Sequence, residues 1–442
     1  MRLSFGRENA RLCVVLMTCA CFALANLLQI APFSYLAFFL LGILVLTGAP
    51  QDDLVLYISL IPFAGMAELS GYNLIFLFLL WSVGKLVVSG YRNRYPAAYW
   101  ITAILFFGLV IMQDLFYASI GRLCYLLSIQ LYFTAFILFA DVKRVKGSLV
   151  RKGLFFSLLL ALFLSLWTTL KDNTGMIERL GEASRQLGGA MGLPIYCLLL
   201  LSMLLEDDLE HERSAVYRLV SILFMALIGL LGLLTLSRVF LLGLGVLALC
   251  FFWMIRKGKA KRVLTICLAG AALIALFWLI FPGEANRLVD SFYLRLKDPL
   301  GSGRLEIYKD CLLYLLENPL RLLLGNGAFH YVQIGQTEGY AFSAMAHNLY
   351  LDLVMSWGLF GVLFFVTYLR LMIKRLKEAF PERPKPSSMM AILTLAACFM
   401  TEGTMQYYNI YFYILFLLIN RYGKEGGVPD ETGRYSNLSS GG

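Results

Sequence analysis

The sequence contains few charged residues and very few histidines. Charged side chains make up 15% of its 442 residues, hydrophobic ones make up 60%, and only three histidines occur. This excludes an ordinary soluble protein, in which about 25% of residues are charged. Nine cysteines occur, but most lie in apolar runs and none has the Cys/His spacing of a metal site. We therefore predict no disulfide framework, no metal centre and no cofactor.

The sequence contains many long apolar runs, and these predict a helical membrane protein. A bilayer core about 30 Å thick requires about 20 apolar residues for each helix that crosses it. The runs are continuous and do not alternate, which excludes the strands of a membrane β-barrel. We predict an all-α, polytopic transmembrane bundle of 12–14 spans. The spans are expected at residues 11–30, 33–49, 54–68, 72–90, 97–118, 123–141, 153–170, 188–205, 216–236, 239–255, 263–282, 347–369, 388–405 and 407–420.

The positions of lysine and arginine predict which span ends face the cytoplasm. With the N-terminus inside and the spans alternating, the inside segments hold 26 Lys/Arg residues and the outside segments hold 11. Both termini are then cytoplasmic. The first span lacks a small-residue cleavage site, so we expect it to be a signal anchor. The net charge of +10 follows from this topology and does not indicate a nucleic-acid partner.

One segment between spans, residues 283–346, concentrates polar side chains. It holds six Lys/Arg and seven Asp/Glu residues, and the predicted orientation places it outside the cell. We divide the chain into five parts on this basis. They are an N-terminal transmembrane bundle (1–215), a second group of spans (216–282), the large extracytoplasmic loop (283–346), the C-terminal spans (347–421) and a disordered cytoplasmic tail (422–442).

Two arginines at the predicted outer face are candidate anion ligands. Arg238 follows Ser237 between two spans, where it is either snorkelling to the interface or binding an anion. Arg304 ends the run Gly301-Ser302-Gly303-Arg304, before an apolar stretch with helical spacing from Leu305 to Glu317. The glycines form either a flexible turn or the open N-terminus of a helix, where amide groups and Arg304 bind an anion.

Two histidines are candidate proton acceptors. His347 precedes Asn348 at the start of a span, with Asp352 about one turn further on. It is either a structural cap of that span or a general base, since imidazole titrates near neutral pH. His330, also outside, is the second candidate. His211 lies between two glutamates on the inside and belongs to a solvated charge cluster.

The order and spacing of four motifs resemble the O-antigen ligase and oligosaccharide repeat-unit polymerase superfamily. The resemblance covers about residues 215–370, and Tyr308 replaces the tryptophan usual in the family. We expect that difference to affect packing and not chemistry. The motifs are Ser237-Arg238 before a span, Gly301-Ser302-Gly303-Arg304 in the outer loop, Pro319-Leu320 to Gly325-Asn326-Gly327, and His347-Asn348 before Gly358-Leu359-Phe360-Gly361.

The resemblance implies a membrane-type, metal-independent and inverting glycosyltransferase in the bacterial plasma (inner) membrane, acting at its outer, periplasmic face. The donor would be an oligosaccharide linked to undecaprenyl diphosphate. Arg238 and Arg304 would bind the diphosphate, and His347 would deprotonate the acceptor hydroxyl. Supporting residues would be Ser237, Gly301, Gly303, Asn348 and His330.

The resemblance leaves the acceptor open. A repeat-unit polymerase for O-antigen, capsule or exopolysaccharide is the first hypothesis, with a chain-length regulator as a possible partner. A ligase that transfers finished glycan to lipid A core is the second. The third is a polysaccharide or lipid transporter, which would need charges inside its spans. Only Lys85 and Glu402 meet that requirement; we interpret Lys85 as snorkelling and Glu402 as an interfacial carboxylate.

Overall fold

The computed structural model is helical in nearly all the residues that it describes, which confirms the predicted all-α membrane fold. Most of the predicted span 263–282, together with Gly301, His211, Glu402 and the tail from 423, lies outside the described residues. The structure describes residues 7–69, 72–90, 95–172, 189–210, 214–254, individual positions between 268 and 293, 303–342, 346–381, 384, 386–401 and 408–422.

Sixteen α-helices occur in this part of the chain. They are α1 (Arg7–Leu28), α2 (Ala31–Thr47), α3 (Asp53–Ser59), α4 (Ile75–Gly90), α5 (Ala97–Asp114), α6 (Ile120–Phe139), α7 (Gly147–Asp172), α8 (Gly189–Glu210), α9 (Ala215–Leu234), α10 (Arg238–Met254), α11 (Arg304–Glu317), α12 (Pro319–Leu324), α13 (His330–Glu338), α14 (Leu349–Ala379), α15 (Met389–Cys398) and α16 (Tyr408–Tyr422). Two 3₁₀ helices, Ile61–Met66 and Val142–Arg144, and an antiparallel pair of two-residue strands, β1 (Glu68–Leu69) and β2 (Tyr72–Asn73), complete the described elements.

Six of the described helices are long and apolar enough to cross a membrane. The four shorter apolar helices α2, α4, α10 and α15 have the composition of membrane helices but fewer than 18 residues. The six that meet the length and composition required are α1, α5, α6, α7, α9 and α14.

The predicted third span, residues 54–68, is wrong as a single helix. It consists of α3 followed by the 3₁₀ helix Ile61–Met66, because Pro62 lacks the amide hydrogen that would continue an α-helix. The segment still runs beside α1 over most of its length. Three hydrogen bonds hold it there: Arg11 Nη1 to Asp52 Oδ2 (3.1 Å), Cys19 Sγ to Ser59 O (3.5 Å) and Asn26 Nδ2 to Met66 O (3.1 Å).

Lys85 does not snorkel to the interface, and that interpretation is wrong. Its Nζ lies 2.6 Å from Oδ2 of Asp53, whose side chain is completely buried. Ser82 donates a further hydrogen bond to the same oxygen at 2.7 Å. Removing one partner of a buried ion pair is strongly destabilising. The pair therefore joins α3 to α4, which gives Lys85 a structural role.

The described residues form two separate hydrophobic cores. The large one lies between the membrane helices, and the small one lies beneath α11, α13 and the first turns of α14. We call α11, α12, α13 and residues 349–357 the loop unit. The small core consists of Ile307, Cys311, Tyr314, Leu315, Tyr331, Ile334, Phe342, Ala346 and Met355.

Helix α14 contributes to both cores and is broken at Gly358, where φ is 63° and ψ is −164°. Residues 359–379 alone are about 31 Å long at 1.5 Å per residue, which is enough to cross a bilayer. They pack against α5, with Phe364 stacked on Phe106 at 3.9 Å. Of the nine residues before the break, Met355 belongs to the small core, whereas Leu349 and Trp357 belong to the large one. The break thus joins the loop unit to the membrane helices.

Candidate functional site

The Gly325-Asn326-Gly327 turn packs directly against the break in α14. The backbone and side-chain nitrogens of Asn326 both donate to Met355 O, at 3.0 and 3.1 Å. Gly327 N donates to Ser356 O at 2.7 Å. Gly325 has a φ of +77°, and a Cβ there would lie 2.4 Å from Ser356 O. This approach therefore requires glycine.

The last residues of α5 hold the same turn from the other side. Asp114 accepts hydrogen bonds from Ala328 N at 2.9 Å and from Phe329 N at 2.8 Å. Gln113 Nε2 donates to Leu324 O at 3.0 Å. These residues carried no motif in the sequence, and the only signal was two polar side chains at the end of an apolar run. They attach the loop unit to the membrane helices.

His330 lies at the first turn of α13, close to Asp114. Its ring stacks on Tyr117 at 3.6 Å, and Nδ1 lies 3.1 Å from Asn326 O. Burial lowers the pKa of His330. Stacking and the contact with a main-chain carbonyl fix the ring in the turn, which is the arrangement of a structural histidine.

Asp352 does not face the imidazole of His347. It is completely buried, and its Oδ1 accepts from the Tyr331 hydroxyl at 2.6 Å and from Ala346 N at 3.1 Å. Asp352 therefore fixes the residue before His347 and not the histidine ring. Asp352, which follows His347 by about one turn, is thus linked to it through the backbone of Ala346.

Asn348, and not His347, caps α14. Its Oδ1 accepts from Tyr350 N at 3.0 Å and from Leu351 N at 3.2 Å, the contacts of an N-cap. His347 lies before the cap with a φ of +51° and is half-buried. The interpretation of His347 as a structural cap is therefore wrong.

The glycine-rich segment leads into α11 as predicted. Gly303 is the N-cap residue in the left-handed region, with a φ of +65°, and α11 begins at Arg304. Arg304 Nη1 donates to Thr401 O at 2.7 Å. One turn further, the Tyr308 hydroxyl lies 3.2 Å from Met400 O and 3.4 Å from His347 O. The Tyr308 hydroxyl thus links α11 to the main chain at His347, which is a structural contact, and the expectation that this residue affects packing and not chemistry stays a prediction.

Four consecutive residues, Cys398 at the end of α15 and the three that follow it, contact the helices that begin at three of the predicted motifs. Three Cα–Cα steps span at most about 11 Å, so elements that bind these four residues have neighbouring ends. Arg238, the first residue of α10, and the buried Ser237 lie next to one of these contacts. The contacts are Cys398 Sγ with Val239 O (3.9 Å), Phe399 O with Leu349 N (2.8 Å), Met400 O with the Tyr308 hydroxyl (3.2 Å) and Thr401 O with Arg304 Nη1 (2.7 Å).

The environment of His347 favours the neutral imidazole. Burial lowers the pKa of His347, and the positive charge of Arg304 lowers it further. A neutral imidazole has one nitrogen that can accept a proton. The arrangement combines a proton acceptor with a nearby guanidinium that is suited to phosphate oxygens. Among the described residues, no group of three or more His, Cys, Asp or Glu side chains is placed to hold a metal ion.

Comparison with known families supports the resemblance seen in the motifs. Residues 222–366, about a third of the chain, match the family model described as O-Antigen ligase. The match contains Ser237-Arg238, Arg304, the Gly325–Gly327 turn and His347-Asn348. No curated protein matches the chain.

Proposed function

We propose, from the match of residues 222–366 to the O-antigen ligase family model, that the protein transfers a glycan from undecaprenyl diphosphate to an acceptor sugar hydroxyl. We assign it as a repeat-unit polymerase at the outer face of the bacterial plasma membrane. One observation carries the proposal: residues 398–401, at the end of α15 and directly after it, bind the starts of α11 and α14 and lie against the start of α10. The two arginines and the histidine of the motifs lie at those helix starts.

The donor diphosphate is the leaving group, so its developing negative charge must be stabilised. Guanidinium groups bind phosphate oxygens with two parallel hydrogen bonds and keep their charge at any relevant pH. Arg304, held by Thr401 O, is the first ligand that we propose, and Arg238 at the start of α10 is the second. Fixed charges of this kind act on the transition state without reorganising.

His347 is the proposed general base. Its neutral ring accepts the proton of the acceptor hydroxyl while the hydroxyl oxygen attacks the anomeric carbon. The bond from that carbon to the diphosphate oxygen breaks, and undecaprenyl diphosphate leaves with the bonding electron pair. Attack opposite the leaving group inverts the anomeric centre. The histidine and Arg304 then act on opposite ends of one displacement, which agrees with their proximity.

Two substitutions of Arg304 should separate its charge from its hydrogen-bonding fork. Since Arg304 lowers the pKa of His347, Arg304→Gln should raise that pKa and move the acidic limb of the rate–pH profile to higher pH. Loss of the guanidinium, which would donate hydrogen bonds to the diphosphate, should also slow transfer by about 100- to 1,000-fold. Arg304→Lys should slow transfer but leave the acidic limb where it is, because the charge remains. Initial rates of glycan transfer across a pH series measure both effects.

The direction of this shift follows from the form of the base that reacts. A neutral imidazole is present above its pKa and is lost as the pH falls through it. An acidic limb at the same pH in Arg304→Gln and in the unchanged protein would show that the Arg304 charge does not act on the base. Normal rates in Arg304→Gln would place the diphosphate site elsewhere.

The choice of acceptor can be tested with purified protein and a single lipid-linked repeat unit. We expect a ladder of longer glycans without any added acceptor, because a polymerase uses the repeat unit as both donor and acceptor. Electrophoresis of the labelled glycan distinguishes a ladder from a single product. The His347→Asn variant serves as the inactive control.

Ligase activity is the second candidate, and the description of the matching family favours it. Transfer to added lipid A core, with no ladder in its absence, would establish the ligase and refute the polymerase. The transporter hypothesis is weakened by Lys85, because that charge is engaged in a buried ion pair. A chain-length regulator is a proposed partner of the polymerase only.

A further inference from the structure

The loop unit carries an exposed leucine face on α11 and α12. Leu316 is 70% exposed and Leu320 is 65% exposed, whereas the opposite face of α11 packs in the small core. Leu305, Leu312 and Leu316 lie on one side of α11, since they are separated by seven and four residues. The face consists of Leu305, Leu312, Leu313, Leu316, Leu320, Leu323 and Leu324.

The leucine face continues the apolar surface of a membrane helix. Gln113, at the end of α5, donates to Leu324 O at 3.0 Å, which places the end of α12 against the end of that span. The residues that follow Gln113 and Asp114 are also apolar and exposed, with Phe116 at 84%. Exposed apolar residues at the end of α5 and on α12 therefore lie on helices whose ends are in contact.

The depth of α12 also corresponds to the membrane surface. A Cβ on Gly358 would lie 2.5 Å from Leu323 O, and Gly358 is where the membrane-spanning part of α14 begins. Two independent spans, α5 and α14, thus reach their ends beside the same short helix. Apolar side chains at this depth meet the boundary between headgroups and acyl chains.

One cation lies within the leucine face. Lys309 is exposed and lies one turn after Leu305 on the same side of α11. A lysine in such a position extends its apolar stem along lipid and its ammonium towards headgroup phosphates. Two exposed carboxylates, Glu306 and Glu317, border the face beside Leu313, and a leucine face with such a charged edge suits the surface of a phospholipid leaflet.

We propose that the leucine face of α11 and α12 rests in the phospholipid leaflet on the side where α5 ends. Leaflet contact along both helices holds the start of α11, which carries Arg304, at the membrane surface. The proposal concerns the bilayer itself, so it does not depend on the polymerase or ligase assignment.

Site-specific fluorescence in nanodiscs tests this contact. A cysteine replaces Leu316, Leu320, Phe116 or Gln333 in a Cys13→Ala parent, and each is labelled with an environment-sensitive nitrobenzoxadiazole probe. Phe116 is the lipid-facing reference, and Gln333, exposed on α13, is the matched position away from the face. With doxyl-labelled phosphatidylcholine, we expect quenching at Leu316→Cys and Leu320→Cys equal to that at Phe116→Cys and none at Gln333→Cys. The labelled parent measures the background from native cysteines.

Three results would overturn the proposal. The first is quenching at Leu316→Cys no stronger than that at Gln333→Cys. The second is quenching that develops only when a lipid-linked glycan is added, which would assign the face to the polyprenyl chain of a substrate. The third is a blue shift without quenching that grows with the number of protein copies in each disc, which would assign the face to a second copy of the chain.

Discussion

Replacing His347 with asparagine is expected to abolish glycan transfer and leave the membrane-inserted fold intact. His347 has a φ of +51°, and asparagine tolerates this left-handed conformation better than alanine does. The substitution therefore removes the proposed base without adding backbone strain. Loss of a general base costs about 100- to 10,000-fold in rate. Initial transfer rates from a lipid-linked donor, beside thermal unfolding in detergent, measure the two effects separately.

Two further variants distinguish the base from a structural histidine. His347→Gly leaves a space the size of the ring, so added imidazole should restore part of the activity if a proton acceptor is what is missing. His330→Asn is the matched change at the other extracytoplasmic candidate, where stacking on Tyr117 indicates a structural role. We expect that variant to lose stability more than intrinsic rate. Full transfer by His347→Asn, or loss of transfer only in His330→Asn, would refute the assignment of the base.

The membrane fold could be predicted because its signal is local. Continuous apolar runs such as those of α5 and α6 need only their own composition to indicate a span. The third span shows the limit of that reasoning. Pro62 and the short length of 54–68 did not reveal that an α-helix and a 3₁₀ helix would lie end to end beside α1. The contacts with α1 that hold this interrupted helix in place are tertiary, so the local sequence does not indicate them.

For the candidate site, the sequence indicated which side chains have suitable chemistry but not which residues hold them in place. Arg304 and His347 could be identified as side chains with suitable chemistry at motif positions, but the helices next to them are held by main-chain carbonyls after α15. Any residue carries a carbonyl, so Phe399, Met400 and Thr401 have no recognisable sequence pattern. Asp114 was missed for a different reason. A carboxylate at the end of an apolar run is ordinary, and only the structure shows it binding the amides of Ala328 and Phe329.

The glycines of the motifs could be recognised but not explained from sequence, and Gly358 gives the second large expected effect. Gly358→Ala should remove most transfer activity, because its φ of 63° and ψ of −164° belong to a region that only glycine populates readily. Such strain costs about 1–3 kcal/mol, and the new Cβ would also lie 2.5 Å from Leu323 O. The loop unit must then move away from α14. Transfer rate and amide hydrogen exchange at Asn326 and Gly327 measure the result.

Two other glycine-to-alanine changes separate strain from contact. Gly339 ends α13 with a φ of +78° and has open space around a Cβ, so Gly339→Ala should cost about 1–2 kcal/mol of local stability without loss of transfer. Gly229 lies inside α9 with no atom within 4 Å of a Cβ, so Gly229→Ala should be neutral or slightly stabilising. If Gly358→Ala behaved like Gly339→Ala in both assays, the contact between the turn and the break in α14 would not be what positions the site. Rapid exchange at Asn326 and Gly327 in Gly358→Ala alone would show that this contact positions the site. These two amides donate to Met355 O and Ser356 O across the contact.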